Sequence, residues 1–139
     1  MRILFICKYN AFRSRIAEEY LKKINQNPDV EVISEGLIMD GRADAEQVTT
    51  ARELLDIDIS QREPEPLNLD DLEEADKIIV VADDIPKIIF NYKKNLLMKK
   101  IEFWGIKDEQ FQNTKNINKI VLKIKKKVEE LNKKLEKGK

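Results

Sequence analysis

The sequence predicts one α/β domain in which a twisted parallel sheet is covered by helices on both faces. Two short runs, residues 3–6 and 77–81, consist mainly of apolar residues, as is typical of strands buried on both sides. Segments with apolar residues at helical spacing alternate with the strands. Such alternation forms β-α-β units with right-handed crossovers, and therefore a parallel sheet. We assign residues 1–139 to this single domain.

Each predicted element has its own sequence signal. Strands are short apolar runs, and helices repeat apolar residues every three or four positions. Loops fall where glycine, proline or polar residues cluster. In chain order we predict a strand at 2–7, a helix from 14 that ends before Pro28, a strand at 30–34, a helix at 45–55, a short helix at 69–72, a strand at 77–81, a helix ending at 90, a strand at 100–103 and a helix at 117–135.

Three further features are predicted in the second half of the chain. Asp83 or Asp84 follows one of these strands and is expected to cap a helix that runs through Phe90. Residues 104–116 are expected to form an irregular loop. The lysines of the last helix are interpreted as a solvated face.

Composition excludes several classes of protein. The 26 Lys and Arg residues balance 26 Asp and Glu residues, which removes the electrostatic argument for binding nucleic acid or an anionic membrane. No apolar run approaches the roughly 20 residues that span a bilayer, and no signal-peptide pattern is recognised, so we expect a cytoplasmic protein. One cysteine and no histidine exclude an internal disulfide and any Cys-His or Ser-His mechanism.

The segment from Cys7 to Arg13 carries the predicted chemistry. It lies between a strand end and a helix start, at the carboxyl edge where such sheets bind ligands. A loop there directs backbone N–H groups inward, and the helix dipole adds positive charge. Because this field favours anions, it suits a phosphate monoester and stabilises a thiolate. Cys7 is therefore the candidate nucleophile.

Neighbouring residues are assigned supporting roles. With five residues between them, Cys7 and Arg13 can face each other, so that the guanidinium binds two phosphate oxygens. Ser14 can donate a hydrogen bond to the thiolate, especially when sulfur is the leaving group. Asn10 can adopt a left-handed backbone and tie the loop together through its amide. Arg15 is interpreted as a surface charge.

A longer motif extends this loop. The pattern Cys-x-x-Asn-x-x-Arg-Ser, followed by Ala17 and Glu18, resembles the low-molecular-weight protein tyrosine phosphatase family and its arsenate reductase relatives. The likeness continues at residues 34–36, 55–60 and 75–79, and so covers nearly the whole chain. The resemblance implies a four-stranded parallel sheet, a phosphocysteine intermediate, and no metal or cofactor. It implies a phosphorylated protein or a small phosphomonoester as substrate, and affinity for inorganic phosphate and related oxyanions.

The resemblance also implies a general acid on the loop after the last strand. The family has an Asp-Pro pair there, and residues 104–109 match this position, with Asp108 as the acid and Glu109 in place of the proline. Asp108 would protonate the leaving group and then activate the hydrolytic water. Asp83, Asp84 and Glu109 are weaker candidates.

Side chains around the loop are expected to hold the substrate. Tyr9, Trp104 and Phe111 are candidate walls of a slot for a phenyl ring. Several family members have a second cysteine at the position of Phe12, so this chain cannot protect its thiol by an internal disulfide. Lys8 is a surface charge that could bias substrate choice. The expected substrate-binding residues are Lys8, Tyr9, Asn10, Ala11, Phe12, Arg13 and Trp104.

The favoured interpretation is metal-independent hydrolysis of phosphate monoesters, phosphotyrosine first among them, with no nucleic-acid or membrane partner. Two alternatives stay open. Arsenate would occupy the same loop, and a separate small thiol could resolve its adduct with Cys7, although a disulfide relay within the chain is excluded. A non-catalytic anion or phosphopeptide-binding module would keep the loop without turnover, and the missing Asp-Pro proline supports it.

Overall fold

A computed structural model of the chain describes residues 1–39, 41–108 and 113–137. Helices and strands alternate along these residues, as the sequence predicts. The elements are β1 (Arg2–Cys7), α1 (Arg13–Ile24), β2 (Glu31–Gly36), α2 (Ala45–Leu55), α3 (Leu69–Glu74), β3 (Lys77–Ala82), a 3₁₀ helix (Lys87–Lys93), α4 (Lys94–Leu97), β4 (Ile101–Ile106) and α5 (Thr114–Lys137).

The four strands form one parallel sheet in the order β2-β1-β3-β4, which confirms the predicted fold class. The chain passes from β1 through α1 to β2 on one side, and then crosses to β3 on the other side of β1. After β3 the chain continues to β4, on the side away from β1. The connections that follow β1 and β3 therefore run in opposite directions and leave a crevice at the carboxyl ends of these two strands. Cys7 is the last residue of β1 and lies at this crevice.

Alternate residues of β1 pack into two separate cores. Ile3 and Phe5 face a cluster that includes residues of α1, α2 and α5, whereas Leu4 and Ile6 face α3, the 3₁₀ helix and α4. All four side chains are fully buried. Because both faces of β1 are covered, polar residues are excluded from its centre, which explains the uninterrupted apolar run in the sequence.

The last strand is longer than the sequence predicts. β4 extends to Ile106, so Trp104 lies in a strand and not in a loop. Gly105 has a φ of 64°, and the pairing of β3 with β4 shifts register near this residue. A glycine tolerates this conformation without steric cost, so the strand can continue through the irregularity.

The segment after β3 also differs from the prediction. A 3₁₀ helix follows Pro86, and no side chain of the described residues caps its start. The expected capping role of Asp83 or Asp84 is therefore wrong. The Asp84 carboxylate instead accepts hydrogen bonds from Arg13, in the crevice at the end of β1.

Candidate active site

Residues 8–12 connect β1 to α1 and form the loop of the candidate site. Asn10 is buried and has a φ of 52°, the left-handed conformation that asparagine adopts more readily than most residues. Gly36, which pairs with Cys7 in the sheet, lies directly against the loop. A Cβ atom on Gly36 would be 2.6 Å from the Asn10 backbone nitrogen, so only glycine lets the loop approach β2 this closely.

The Cys7 thiol is buried and contacts a hydroxyl group. Its Sγ lies 2.9 Å from Oγ of Ser14, in the first turn of α1. The Asn10 side-chain amide donates hydrogen bonds to Oγ of Ser14 and Oγ of Ser34, both at 2.8 Å. Because the Ser14 oxygen accepts from Asn10, the Ser14 hydroxyl hydrogen can point to sulfur. This arrangement can stabilise a thiolate at Cys7.

Arg62 holds Asn10 from behind the loop, and sequence reasoning missed this residue. The Oδ1 atom of Asn10 accepts hydrogen bonds from Arg62 at 3.2 Å and from the backbone N–H of Glu65 at 2.9 Å. Two donors on the oxygen side determine which way the amide faces, so its NH₂ group must point to Ser14. Arg62 also donates to Ser34 and to Glu18, each at 2.8 Å.

Glu18 is the buried anion of this network. Its carboxylate accepts hydrogen bonds from Arg15 at 2.5 Å, Lys22 at 2.7 Å, Ser34 at 2.6 Å and Arg62 at 2.8 Å. Burial alone would raise the pKa of Glu18, but these hydrogen bonds and positive charges outweigh it and lower the pKa. Glu18 is therefore ionised, and it fixes α1 relative to β2.

The interpretation of Arg15 as a surface charge is wrong. Its side chain is only 1% exposed. Arg15 pairs with Glu18 and Glu19, three and four positions later on the same helix. The helical spacing alone brings these carboxylates to Arg15, but the burial of the pair depends on α1 turning that side toward the interior, which local sequence does not reveal.

Arg13 is also buried and lies among three carboxylates. One of its terminal nitrogens donates to the Ile106 carbonyl oxygen at 2.8 Å, and the other donates to Asp84 at 3.2 Å. Oxygens of Asp83 and Asp108 lie 3.8 Å from the guanidinium. The irregularity in β4 brings the Ile106 carbonyl to this place, so the tertiary structure fixes the guanidinium beside the loop.

A cavity of about 230 Å³ opens over the loop. Its lining combines the thiol, two guanidinium groups, two aromatic rings and two carboxylates. The residues are Cys7, Tyr9, Ala11, Phe12, Arg13, Gly41, Arg42, Asp44, Gln47 and Asp108. Among the described acids near Arg13, Asp108 lines this cavity, whereas Asp83 and Asp84 do not.

The candidate pocket aromatics lie in different places. Tyr9 lines the cavity, and Nζ of Lys8 lies 5.2 Å from the centre of its ring. Trp104 packs against Phe5, with ring centres 5.7 Å apart, and contributes to the core beside the sheet. Phe111, like Glu109, lies outside the described residues.

The described part of the chain contains neither a cluster of metal-binding side chains nor a membrane-spanning helix. No three His, Cys, Asp or Glu side chains within residues 1–39, 41–108 and 113–137 are arranged to hold a metal ion. No helix in these ranges is long and apolar enough to cross a membrane.

A buried thiol at the end of a strand, joined by a short loop to a helix N-terminus and sharing a small cavity with an arginine and a carboxylate, is the arrangement of a cysteine-dependent phosphatase. A family model described as low molecular weight phosphotyrosine protein phosphatase matches residues 2–139. The chain belongs to this family and is a cysteine-dependent phosphatase.

Solved structures share the fold over nearly the whole chain. The YwlE arginine phosphatase from Geobacillus stearothermophilus has a TM-score of 0.83 and 20% identity, over 99% of this chain and 94% of that chain. A protein tyrosine phosphatase from Entamoeba histolytica has a TM-score of 0.83 and 22% identity, over 99% and 98%. The low molecular weight protein tyrosine phosphatase from T. tengcongensis has a TM-score of 0.75 and 25% identity, over 96% and 99%. No curated protein sequence matches the chain.

Proposed function

We propose that the protein hydrolyses phosphotyrosine and similar phosphate monoesters, without a metal ion, through a phosphocysteine intermediate on Cys7. The observation that carries this proposal is that Cys7, Arg13 and Asp108 line one small cavity. The nucleophile, the phosphate-binding cation and the proton donor of such a reaction must all reach one phosphoryl group.

In the first step, the phosphoryl group binds over the loop at residues 8–12 and beside Arg13. The Cys7 thiolate attacks phosphorus, the bond between phosphorus and the leaving oxygen breaks, and Asp108 gives its proton to that oxygen. The backbone N–H groups at the start of α1 and the guanidinium stabilise the negative charge on the transferred phosphoryl group.

In the second step, water hydrolyses the phosphocysteine. The Asp108 carboxylate takes a proton from the water, the new oxygen–phosphorus bond forms, and the sulfur–phosphorus bond breaks. The sulfur leaves as a thiolate, and the Ser14 hydroxyl donates a hydrogen bond to it across the 2.9 Å contact. Inorganic phosphate is then released and the thiolate is regenerated.

Two structural relatives support oxyanion binding and a covalent phosphoryl adduct. A cysteine-to-serine variant of YwlE arginine phosphatase carries a phosphorylated active-site serine. The tyrosine phosphatase Wzb from Escherichia coli K30 forms a complex with sulphate.

Phosphoarginine is a second candidate substrate. Asp44 and Asp108 line the cavity together with Gln47, and carboxylates suit the positive charge that a guanidinium leaving group develops. One structural relative is an arginine phosphatase. Rates on matched phosphoarginine and phosphotyrosine peptides would distinguish the two substrates.

A cytoplasmic location is part of the same proposal. Cys7 is the one cysteine of the chain, and as a nucleophile it must stay reduced between turnovers. Reducing compartments keep thiols in this state, whereas oxidising ones convert reactive thiolates to sulfenic acids or disulfides.

The first test is hydrolysis of p-nitrophenyl phosphate, with EDTA present, by the wild-type protein and by Cys7→Ser. We expect turnover in the wild type and none in the variant, because a serine hydroxyl at this position is a far weaker nucleophile. The variant should still be stabilised against heat by inorganic phosphate, which shows that its loop is folded.

Equal activity in Cys7→Ser, or activity that EDTA abolishes, would contradict the proposal. The same protein should be incubated with arsenate and a small thiol. Arsenite production without phosphomonoester hydrolysis would instead favour arsenate reduction with an external thiol.

A further inference from the structure

A second cleft, of about 250 Å³, adjoins the cavity over the catalytic loop. Ala11 and Arg42 line both spaces, so the two are neighbours with a shared wall. The wall is low at Ala11, because its side chain is a single methyl group. A substrate that fills the first cavity can therefore extend into the second.

The cleft is lined by two arginines. Both terminal nitrogens of Arg62 already donate hydrogen bonds, one to Asn10 and the Glu63 carbonyl and the other to Ser34 and Glu18. Arg62 is therefore held in place and acts on a ligand in the cleft through its positive charge, with little entropy lost on binding. Its countercharge Glu18 is shared, because Arg15 and Lys22 bind the same carboxylate. Two carboxylates, Glu18 and Glu19, face the three cations Arg15, Lys22 and Arg62, so this network keeps one positive charge in excess.

Arg42 is the more exposed of the two arginines of the cleft. It forms an ion pair with Glu63 at 2.9 Å, and the two side chains are 75% and 67% exposed. Ion pairs at such exposure contribute little, because water and salt screen them and both side chains lose rotamer freedom. A carboxylate brought in by a ligand can therefore replace Glu63 as the partner of Arg42.

We propose that this cleft, at Arg42 and Arg62, binds the carboxylate of an acidic residue that flanks the phosphorylated residue in a polypeptide substrate. The bound phosphoryl group places the flanking residues beside Ala11, and the charge of the cleft selects an acidic one. In the free enzyme Glu63 is the ion-pair partner of Arg42, so it competes with the carboxylate of the substrate. The inference rests on the proposed function.

The test compares two phosphotyrosine peptides that differ only in having Glu or Gln on both sides of the phosphotyrosine. The wild type should have a kcat/KM about two- to five-fold higher for the Glu peptide, as expected for an exposed ion pair. Arg42→Gln should bring this ratio close to one, and Glu63→Gln should raise it. Lys126→Gln, an exposed change on α5 with the same loss of charge, should leave the ratio at the wild-type value.

Because the readout is a ratio, any effect of Arg42→Gln on the chemical step cancels. The preference should also weaken as ionic strength rises. A wild-type ratio of one, or a ratio unchanged in Arg42→Gln, overturns the inference while phosphatase activity stands. If neither peptide is hydrolysed, the proposed substrate is wrong, and the affinities of Cys7→Ser for the two peptides then decide whether the cleft binds an acidic residue.

Discussion

Arg13 lies among three carboxylates whose surroundings suit them for different tasks. Asp84 accepts hydrogen bonds from the guanidinium and holds it in position. Asp83 and Asp108 both lie 3.8 Å from it and have similar exposure, but Asp108 alone of these three lines the cavity with Cys7. Electrostatic support of Arg13 and proton transfer to a substrate can therefore be separated experimentally.

Asp108→Asn should slow aryl phosphates with poor leaving groups about 10²- to 10⁴-fold, because the leaving oxygen then departs without a proton. Esters with good leaving groups should be slowed much less. The measurement is kcat/KM over a series of substituted phenyl phosphates. Asp83→Asn is the matched control, since it removes a carboxylate at the same distance from Arg13; it should affect the whole series alike. Uniform slowing in Asp108→Asn would remove it from the acid role.

At the scale of elements, one hydrogen-bond network joins the loop, β2, α1 and the irregular segment at residues 59–66. Arg62 is its centre, because it bonds to Asn10 of the loop, Ser34 of β2 and Glu18 of α1. Asn10 in turn bonds to Ser14, which contacts the Cys7 thiol. Loss of Arg62 should therefore affect the environment of the thiol through two intervening side chains, those of Asn10 and Ser14.

Arg62→Met should lower kcat about ten- to hundred-fold with a smaller change in KM, because the loop loses its alignment while Arg13 stays in place. Glu18 keeps Arg15 and Lys22, so we expect a stability loss of only about 1–3 kcal/mol. Steady-state kinetics and denaturant unfolding measure the two effects.

The exposed Arg52 offers a matched control, since Arg52→Met removes the same group from α2. Arg62→Lys should recover part of kcat, because it keeps the charge opposite Glu18 without the planar fork. If kcat falls only in proportion to the folded fraction, Arg62 does not position the loop.

At the scale of the whole molecule, two cores on opposite faces of the sheet support one edge where the site lies. A buried acid, Glu35 of β2, lies at the start of α3 and is 5% exposed. Burial first, and then the hydrogen bond and charge of Asp71, raise the pKa of Glu35 to about 8. The backbone N–H of Asn68 donates to it and acts in the opposite direction.

This acid should make stability depend on pH. Between the ordinary pKa of 4.5 and about 8, the unfolded chain has released the Glu35 proton while the folded protein keeps it. The folded state therefore binds more protons, and the free energy of unfolding should fall as pH rises through this window. Glu35→Gln, which mimics the protonated acid, should flatten that slope, and denaturant unfolding from pH 5 to 9 measures it. Glu130→Gln, on the exposed side of α5, should retain it; equal slopes in all three proteins would contradict the assignment.

The sequence by itself determined the fold class, the family and the loop from Cys7 to Ser14. Those signals are local: apolar runs mark strands buried on both faces, helical spacing marks the helices, and the loop residues lie within eight positions of one another. Contacts within so short a segment follow from a strand that ends and a helix that begins. The catalytic roles of Cys7, Arg13, Ser14 and Asp108 stay predictions.

The tertiary structure alone decided which distant side chains surround that loop. Arg62 bonds to residues 28 and 44 positions away, and Arg13 bonds to a carbonyl 93 positions away. It also decided that Arg15 is buried, that Trp104 packs on Phe5, and that Asp84 holds Arg13. Sequence periodicity reports which face of an element is apolar. It carries no information on which polar groups meet when the elements pack, because that depends on strand order and on irregularities such as the one at Gly105.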